Sequence, residues 1–176
     1  MQAFFERLEA LRITMDDQAF MREALALADE AGRLGEVPVG AVVVQGDRIV
    51  GRGHNRREID QDPTAHAEMF ALREAARTLG TWRLTGCRLV VTLEPCAMCA
   101  GAMVLARVDR CVFGCDDPKG GFLGTLADLS AWPGLNHGFP VIRGVLAEEA
   151  SERLVSFFRE LRAAKREERW PSGCRR

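Results

Sequence analysis

The chain has 176 residues, of which 47% are hydrophobic and 28% are charged, and its formal net charge is −1. This is ordinary globular composition, and the length predicts one domain. No apolar run approaches the roughly 20 residues that a membrane-spanning helix requires, so we expect no membrane partner.

The charge is unevenly distributed along the chain. From Arg159 to the last residue there are seven Lys or Arg and three Asp or Glu, whereas the rest of the chain carries 17 basic and 22 acidic residues. The sequence therefore predicts a basic C-terminal segment on an acidic body.

The first fourteen residues include charged residues that interrupt their apolar ones, which argues against a secretion signal. We therefore expect a cytoplasmic protein whose six cysteines are reduced. Residues 1–14 are interpreted as an N-terminal extension and residues 15–176 as one domain with a basic C-terminal helix. Either Met1 or Met15 can be the initiator.

The predicted elements begin with a helix that Asp16 and Asp17 can cap. A β-hairpin follows, with strands at residues 39–44 and 49–53. A second helix is predicted from Pro63, in the first helical position, to Leu79, and Gly80 ends it.

In the second half, strands at residues 88–93 and 110–114 enclose a helix from Pro95 to about Val108. Residues 115–136 form a long loop, and a loop of this length inside a compact domain is usually functional. A weak strand at residues 141–144 precedes a long amphipathic helix from Ala147, whose Phe157 and Phe158 are expected in the core. These elements predict an α/β fold with a mixed sheet of about five strands, covered by helices on both faces.

Two short motifs point to a metal site: His66-x-Glu68, and Pro95 followed by Cys96-x-x-Cys99. A lone His near a helix start is usually a cap or a core residue, and Cys-x-x-Cys alone is common, but the joint pattern is rare. One imidazole and two thiolates suit zinc, and the fourth tetrahedral position remains for water. The pattern therefore predicts a catalytic zinc site.

Helix geometry explains the spacing. Cys96 and Cys99 are neighbours on a helix surface, and the helix N-terminus favours their thiolate forms. Glu68 lies about 200° around a helix from His66, so we expect it to be an acid/base and not a metal ligand.

The longer strings around these motifs resemble the bacterial tRNA-specific adenosine deaminases of the cytidine deaminase superfamily. The resemblance runs from Asp16 to about Lys165. The strings that carry it are Glu36-Val37-Pro38-Val39-Gly40-Ala41-Val42, Gly53-His54-Asn55-Arg56, residues 62–68, residues 91–103, Val112-Phe113-Gly114 and Pro133-Gly134-Leu135-Asn136-His137.

This resemblance implies a three-layer α/β/α cytidine-deaminase-like fold and one zinc ion per chain, held by His66, Cys96 and Cys99. It implies hydrolytic deamination of adenosine to inosine at the wobble position of a tRNA anticodon, in an arginine tRNA, with Glu68 moving the protons. It also implies a homodimer with the anticodon loop across both subunits. The residues expected to bind substrate are Asn55, Asp117, Lys119, Asn136 and Phe158.

The sequence departs from that family at three places. Cys115-Asp116 stands where Ala-Arg is expected, Gly120 replaces Thr, and Trp132 replaces His. The loss of the Arg removes a basic group from a loop expected to touch RNA. Basic residues of the last helix are expected either to contact phosphates or to form a solvated face: Arg162, Lys165, Arg166 and Arg169.

Two other functions remain open from the residues. The first is a deaminase of free guanine, cytosine or nucleotides. The second is a non-catalytic RNA-binding module that zinc stabilises. An intact Glu68 and the lack of a nearby fourth ligand argue against the second.

Overall fold

The computed structural model describes the backbone of residues 15–169 and the side chains of residues 16–166. The predicted N-terminal extension and the last residues of the basic segment lie outside this part of the chain. The elements are α1 Met15–Arg33, β1 Gly40–Gln45, β2 Arg48–His54, α2 Arg57–Asp60, α3 Ala67–Leu79, β3 Cys87–Leu93, α4 Ala97–Ala106, β4 Arg110–Cys115, β5 Val141–Ile142 and α5 Ala147–Arg169.

The five strands form one mixed sheet in the order β2-β1-β3-β4-β5. Strand β1 is antiparallel to both β2 and β3, whereas β3, β4 and β5 are parallel. As a consequence, the C-terminal ends of β2, β3 and β4 meet at one edge of the sheet. The segments that leave these strands carry the candidate functional residues.

Helices cover both faces of the sheet, as predicted. Alternate residues of β1 point to opposite faces, so Val42 packs with Met21 and Leu25 of α1, while Val43 packs with residues of α3 and α4. Helix α5 lies on the α1 face and contributes Ala150 to that core. The structure is thus the predicted three-layer α/β/α arrangement.

Helix α3 packs unusually close to β2, because two strand residues that face it are glycines. A Cβ on Gly53 would lie 2.2 Å from the carbonyl oxygen of Ala67, and one on Gly51 would lie 2.2 Å from that of Ala71. Only glycine leaves room for the helix at this distance. The close packing places the first turn of α3 at the edge where the strands end.

Both helices that follow the metal-site motifs begin later than predicted. Helix α3 starts at Ala67 and not at Pro63, because Asp62 turns the chain locally: its Oδ1 accepts hydrogen bonds from the amide and the hydroxyl of Thr64, each 2.7 Å long. Helix α4 runs from Ala97 to Ala106 instead of from Pro95 to about Val108.

The prediction that Phe157 and Phe158 belong to the core is wrong. Phe157 is half-buried, and Phe158 is 39% exposed. Helix α5 has 23 residues, which corresponds to about 35 Å, whereas a strand of six or seven residues spans about 20 Å. Its C-terminal half therefore extends past the sheet that would bury it. In residues 15–169 no helix combines the length and apolar character needed to span a membrane.

Candidate active site

The edge where β2, β3 and β4 end forms the floor of the candidate site. Asn55 follows β2, Glu94 and Cys96 follow β3, and Asp116 follows β4. The N-termini of α3 and α4 reach the same place, so their first-turn amides add positive potential there. The fold therefore concentrates polar side chains from four segments at one edge of the sheet.

His66 and Cys96 are the N-cap residues of α3 and α4, and both have extended backbones. His66 Nδ1 lies 3.7 Å from Cys96 Sγ and 3.6 Å from Cys99 Sγ, and the three ligand atoms are all within 4.8 Å of one another. With ordinary Zn–N and Zn–S bond lengths, tetrahedral ligands are about 3.6 Å apart from nitrogen to sulfur. The donor set and its spacing therefore fit a zinc ion.

The ligand side chains also shift one another's protonation. The pKa of Cys96 is lowered to about 4, because Cys99 and then His66 hydrogen-bond to its sulfur. The pKa of His66 is raised by the same hydrogen bond with Cys96. The pKa of Cys99 is raised because it donates its proton toward Cys96 and is buried. The side chains alone thus already stabilise one thiolate, the form that binds zinc.

Glu68 lies in the first turn of α3 and is only 4% exposed. Burial raises the pKa of its carboxyl group, because desolvation disfavours the charged form. The helical angle used to separate it from His66 does not apply, since His66 precedes the helix in an extended conformation. The two side chains line the same cavity, yet Glu68 is not part of the three-residue ligand cluster.

This cavity has a volume of about 570 Å³, which is within the usual range for small-molecule sites. Four of the five predicted substrate-binding residues line it: Asn55, Asp117, Lys119 and Phe158. Asn55 is oriented by its Oδ1, which accepts a hydrogen bond of 3.1 Å from the amide of Ala67. The amide nitrogen of Asn55 is then the group that can donate to a substrate.

The fifth predicted residue, Asn136, does not line the cavity. It lies exposed on the loop before β5, and its neighbour His137 donates from Nε2 to the carbonyl of Val108 at 2.8 Å. Val108 precedes β4, so this anchor is at the opposite end of that strand from the site.

Three basic side chains line the same cavity: Arg57, Lys119 and Arg162. Asp116, at the position where the resemblance leads us to expect Arg, forms an ion pair of 2.9 Å with Arg143. The departure therefore removes a basic group from this rim, but the new carboxylate has a cationic partner.

Sequence reasoning missed the functional potential of two residues. Arg57 received no role, and its position on the short helix α2 was not predicted. Glu94 was noted only as part of a motif string, although its carboxylate is buried at the end of β3. A charged residue directly after an apolar strand was the available signal for Glu94.

The comparisons with known proteins agree with this geometry. The cytidine and deoxycytidylate deaminase zinc-binding region matches residues 14–115. A tRNA-specific adenosine deaminase of Bacillus subtilis (strain 168) is 53% identical over 150 residues, which cover 85% of this chain and 93% of that protein.

Two solved structures are also similar. One comes from a study of A-to-I editing by tRNA:A34 deaminases at the wobble position of transfer RNA. It has a TM-score of 0.75 and 43% identity, covering 77% of this chain and 99% of the other. A guanine deaminase from Nitrosomonas europaea has a TM-score of 0.71 and 25% identity, covering 83% and 86% of the two chains.

Proposed function

This chain belongs to the zinc-binding cytidine and deoxycytidylate deaminase family, within the tRNA-specific adenosine deaminases, and we propose that it converts the wobble adenosine of a tRNA anticodon into inosine. The observation that carries the proposal is a buried carboxylate, Glu68, in the same cavity as a zinc-binding His-Cys-Cys cluster. We further propose arginine tRNA as the substrate and the cytoplasm as the location.

In this mechanism His66, Cys96 and Cys99 hold the zinc ion, which when bound supplies the Lewis acidity that activates water for attack. Glu68 accepts the proton that the water loses when its oxygen bonds to C6 of the adenine. It passes that proton to the ring nitrogen N1 and then assists the departure of the amino group as ammonia. The products are inosine and ammonia, so atoms and charges balance.

The other cavity residues position the nucleotide. Asn55 donates from its amide nitrogen to the base or its ribose, and the exposed ring of Phe158 is available for stacking. Lys119 and Asp117 contact the substrate from the loop after β4. Arg57 and Arg162 attract the phosphates on either side of the flipped nucleotide. A contact by Asn136 requires RNA that extends beyond this cavity.

Binding and turnover together separate this proposal from its alternatives. We expect affinity for an anticodon stem-loop with a wobble adenosine to fall with salt, and Arg57→Ala with Arg162→Ala to reduce the slope by about 1.4, or 0.7 per contact. Arg22→Ala with Arg77→Ala is the matched control, because these exposed arginines lie on α1 and α3 and do not line the cavity. Fluorescence anisotropy measures the binding, and nucleoside analysis measures inosine.

Each alternative predicts a different result in the same assay. A non-catalytic RNA-binding module would bind the stem-loop and form no inosine. A deaminase of free bases or nucleotides would release ammonia from guanine or cytosine at least as efficiently as from the stem-loop. Either result would contradict the proposal.

We also propose that the chain forms a homodimer through α4. This helix contains no charged residue, and such a helix is normally buried all round. Leu105 on its outer face is nevertheless 70% exposed in a single chain. A second subunit that covers this face removes the exposed apolar surface from water.

Leu105→Glu is expected to dissociate the dimer, since a carboxylate in an apolar interface is not solvated. Sedimentation velocity at micromolar concentration measures the change. Leu34→Glu is the control, because Leu34 is similarly apolar and exposed but follows α1, which packs on the opposite face of the sheet. A Leu105→Glu variant that sediments as the wild type does would place the interface elsewhere.

A further inference from the structure

Glu94 is a buried acid to which the proposed reaction gives no role. It is 2% exposed and comes directly after β3, two residues before Cys96. A carboxylate buried to this extent requires several hydrogen bonds to offset its lost solvation. Its partners therefore show what it does in the fold.

All the hydrogen-bond partners found for the Glu94 carboxylate lie on the loop that follows β4. Oε1 accepts from the amides of Leu123 at 3.0 Å and Thr125 at 3.1 Å. Oε2 accepts from the amide of Asp117 at 3.1 Å and from the hydroxyl of Thr125. These are charge-assisted hydrogen bonds, which are stronger than those between neutral groups. One side chain thus replaces regular secondary structure for this part of the loop.

The Asp117 amide is where this anchoring reaches the cavity. Asp117 in turn accepts, at Oδ1, a hydrogen bond of 2.9 Å from the amide of Lys119. Its carbonyl accepts another of 3.0 Å from the amide of Gly121. A Cβ on Gly121 would lie 2.2 Å from Glu94 Oε2, so the loop backbone rests directly against the carboxylate. The segment 116–119, which lines the cavity, is therefore suspended from Glu94 Oε2.

We propose that Glu94 is a positioning residue that sets affinity for the RNA by holding segment 116–119 so that Lys119 faces the cavity. The inference rests on the proposed function, because Lys119 acts there on the substrate. None of the four hydrogen bonds reaches His66, Cys96 or Cys99. Glu94 accordingly influences binding more than the chemical step.

Glu94→Gln tests this assignment at one of the two oxygens. The amide keeps one acceptor, which can serve Leu123 and Thr125, but its NH₂ group then faces the Asp117 amide, and two donors cannot bond. We expect KM for the stem-loop to rise about tenfold, as for the loss of one charge-assisted hydrogen bond, with a smaller change in kcat. Zinc content should remain at the wild-type level.

A double-mutant cycle with Lys119→Ala separates positioning from a general loss of structure. If Glu94 acts through Lys119, Glu94→Gln in the Lys119→Ala background should change KM by less than about twofold. Thr125→Val is the control at the same carboxylate: it removes the hydroxyl donor and keeps the Asp117 bond, so KM should stay near that of the wild type. Gly121→Ala, whose methyl group would displace the carboxylate, should reproduce the rise in KM by a second route.

Hydrogen exchange of residues 116–125 provides a readout that does not depend on RNA. In Glu94→Gln the amides of this segment should lose protection while those of α4 keep it. An unchanged KM or unchanged exchange in Glu94→Gln, a loss of zinc, or additive effects with Lys119→Ala would each overturn the role of Glu94. Wild-type protein that turns over no RNA would overturn both this role and the proposed function.

Discussion

Glu68→Gln is expected to lose most turnover while zinc content and stem-loop affinity stay at wild-type values. Glutamine has nearly the same shape as glutamate, but it cannot accept the water proton and return it to the base. General acid–base catalysis contributes roughly 100- to 10,000-fold, and we expect a loss near the upper end because one residue serves several proton transfers. Single-turnover inosine formation measures the chemical step directly.

The environment of Glu68 supports this expectation. Burial raises the pKa of its carboxyl group, so the side chain can hold a proton closer to neutral pH than an exposed glutamate can. Glu74→Gln is a matched control on the same helix, because Glu74 lies on the exposed side of α3. Activity of Glu68→Gln within about tenfold of wild type would mean that another residue transfers the protons.

Cys96→Ala, His66→Ala and Cys99→Ala are each expected to lose the zinc ion, taking the content from about one per chain to near none. The ion joins the N-termini of α3 and α4, so its loss should also lower the free energy of unfolding. Metal analysis of the purified variants and their thermal midpoints measure the two effects.

Cys87→Ala is the control for removal of a buried thiol, because Cys87 lies at the start of β3, the end farthest from the site. It should keep its zinc and lose only the stability expected for a small cavity. A full equivalent of zinc in Cys96→Ala would contradict the ligand assignment.

The sheet could be predicted because its strands are local in sequence. Residues 39–44 are a continuous apolar run before a turn at Gly46, and the observed hairpin pairs Gly40–Gln45 with Arg48–His54. The ligand set of the metal site was predictable for a different reason. Only a few chemistries use one imidazole and two thiols at this spacing, so residue identity carries the information.

The helix starts could not be predicted because tertiary contacts decide them. A proline in the first helical position favours a helix at Pro63, yet Asp62 bonds to Thr64, and the first free amide of α3 is satisfied by Asn55, twelve residues earlier. The same holds for Phe158. Its periodicity is that of a core residue, and only the length of the sheet shows that it lies beside the cavity.

The role of Glu94 also depends on distant residues. Its partners lie 23 to 31 positions further along the chain, in a loop without periodicity. Sequence alone therefore marks Glu94 as unusual, and the structure shows what it holds.

The position of inosine in total tRNA after incubation with the purified protein tests the central claim most directly. Reverse transcription reads inosine as guanosine, so each edited position appears as an A-to-G change. We expect this change at the wobble position of arginine tRNA, its absence with Glu68→Gln, and no turnover of free adenosine. If free adenosine, cytidine or guanine were instead deaminated as efficiently as the tRNA, and the tRNA showed no wobble inosine, the protein would be a small-molecule deaminase.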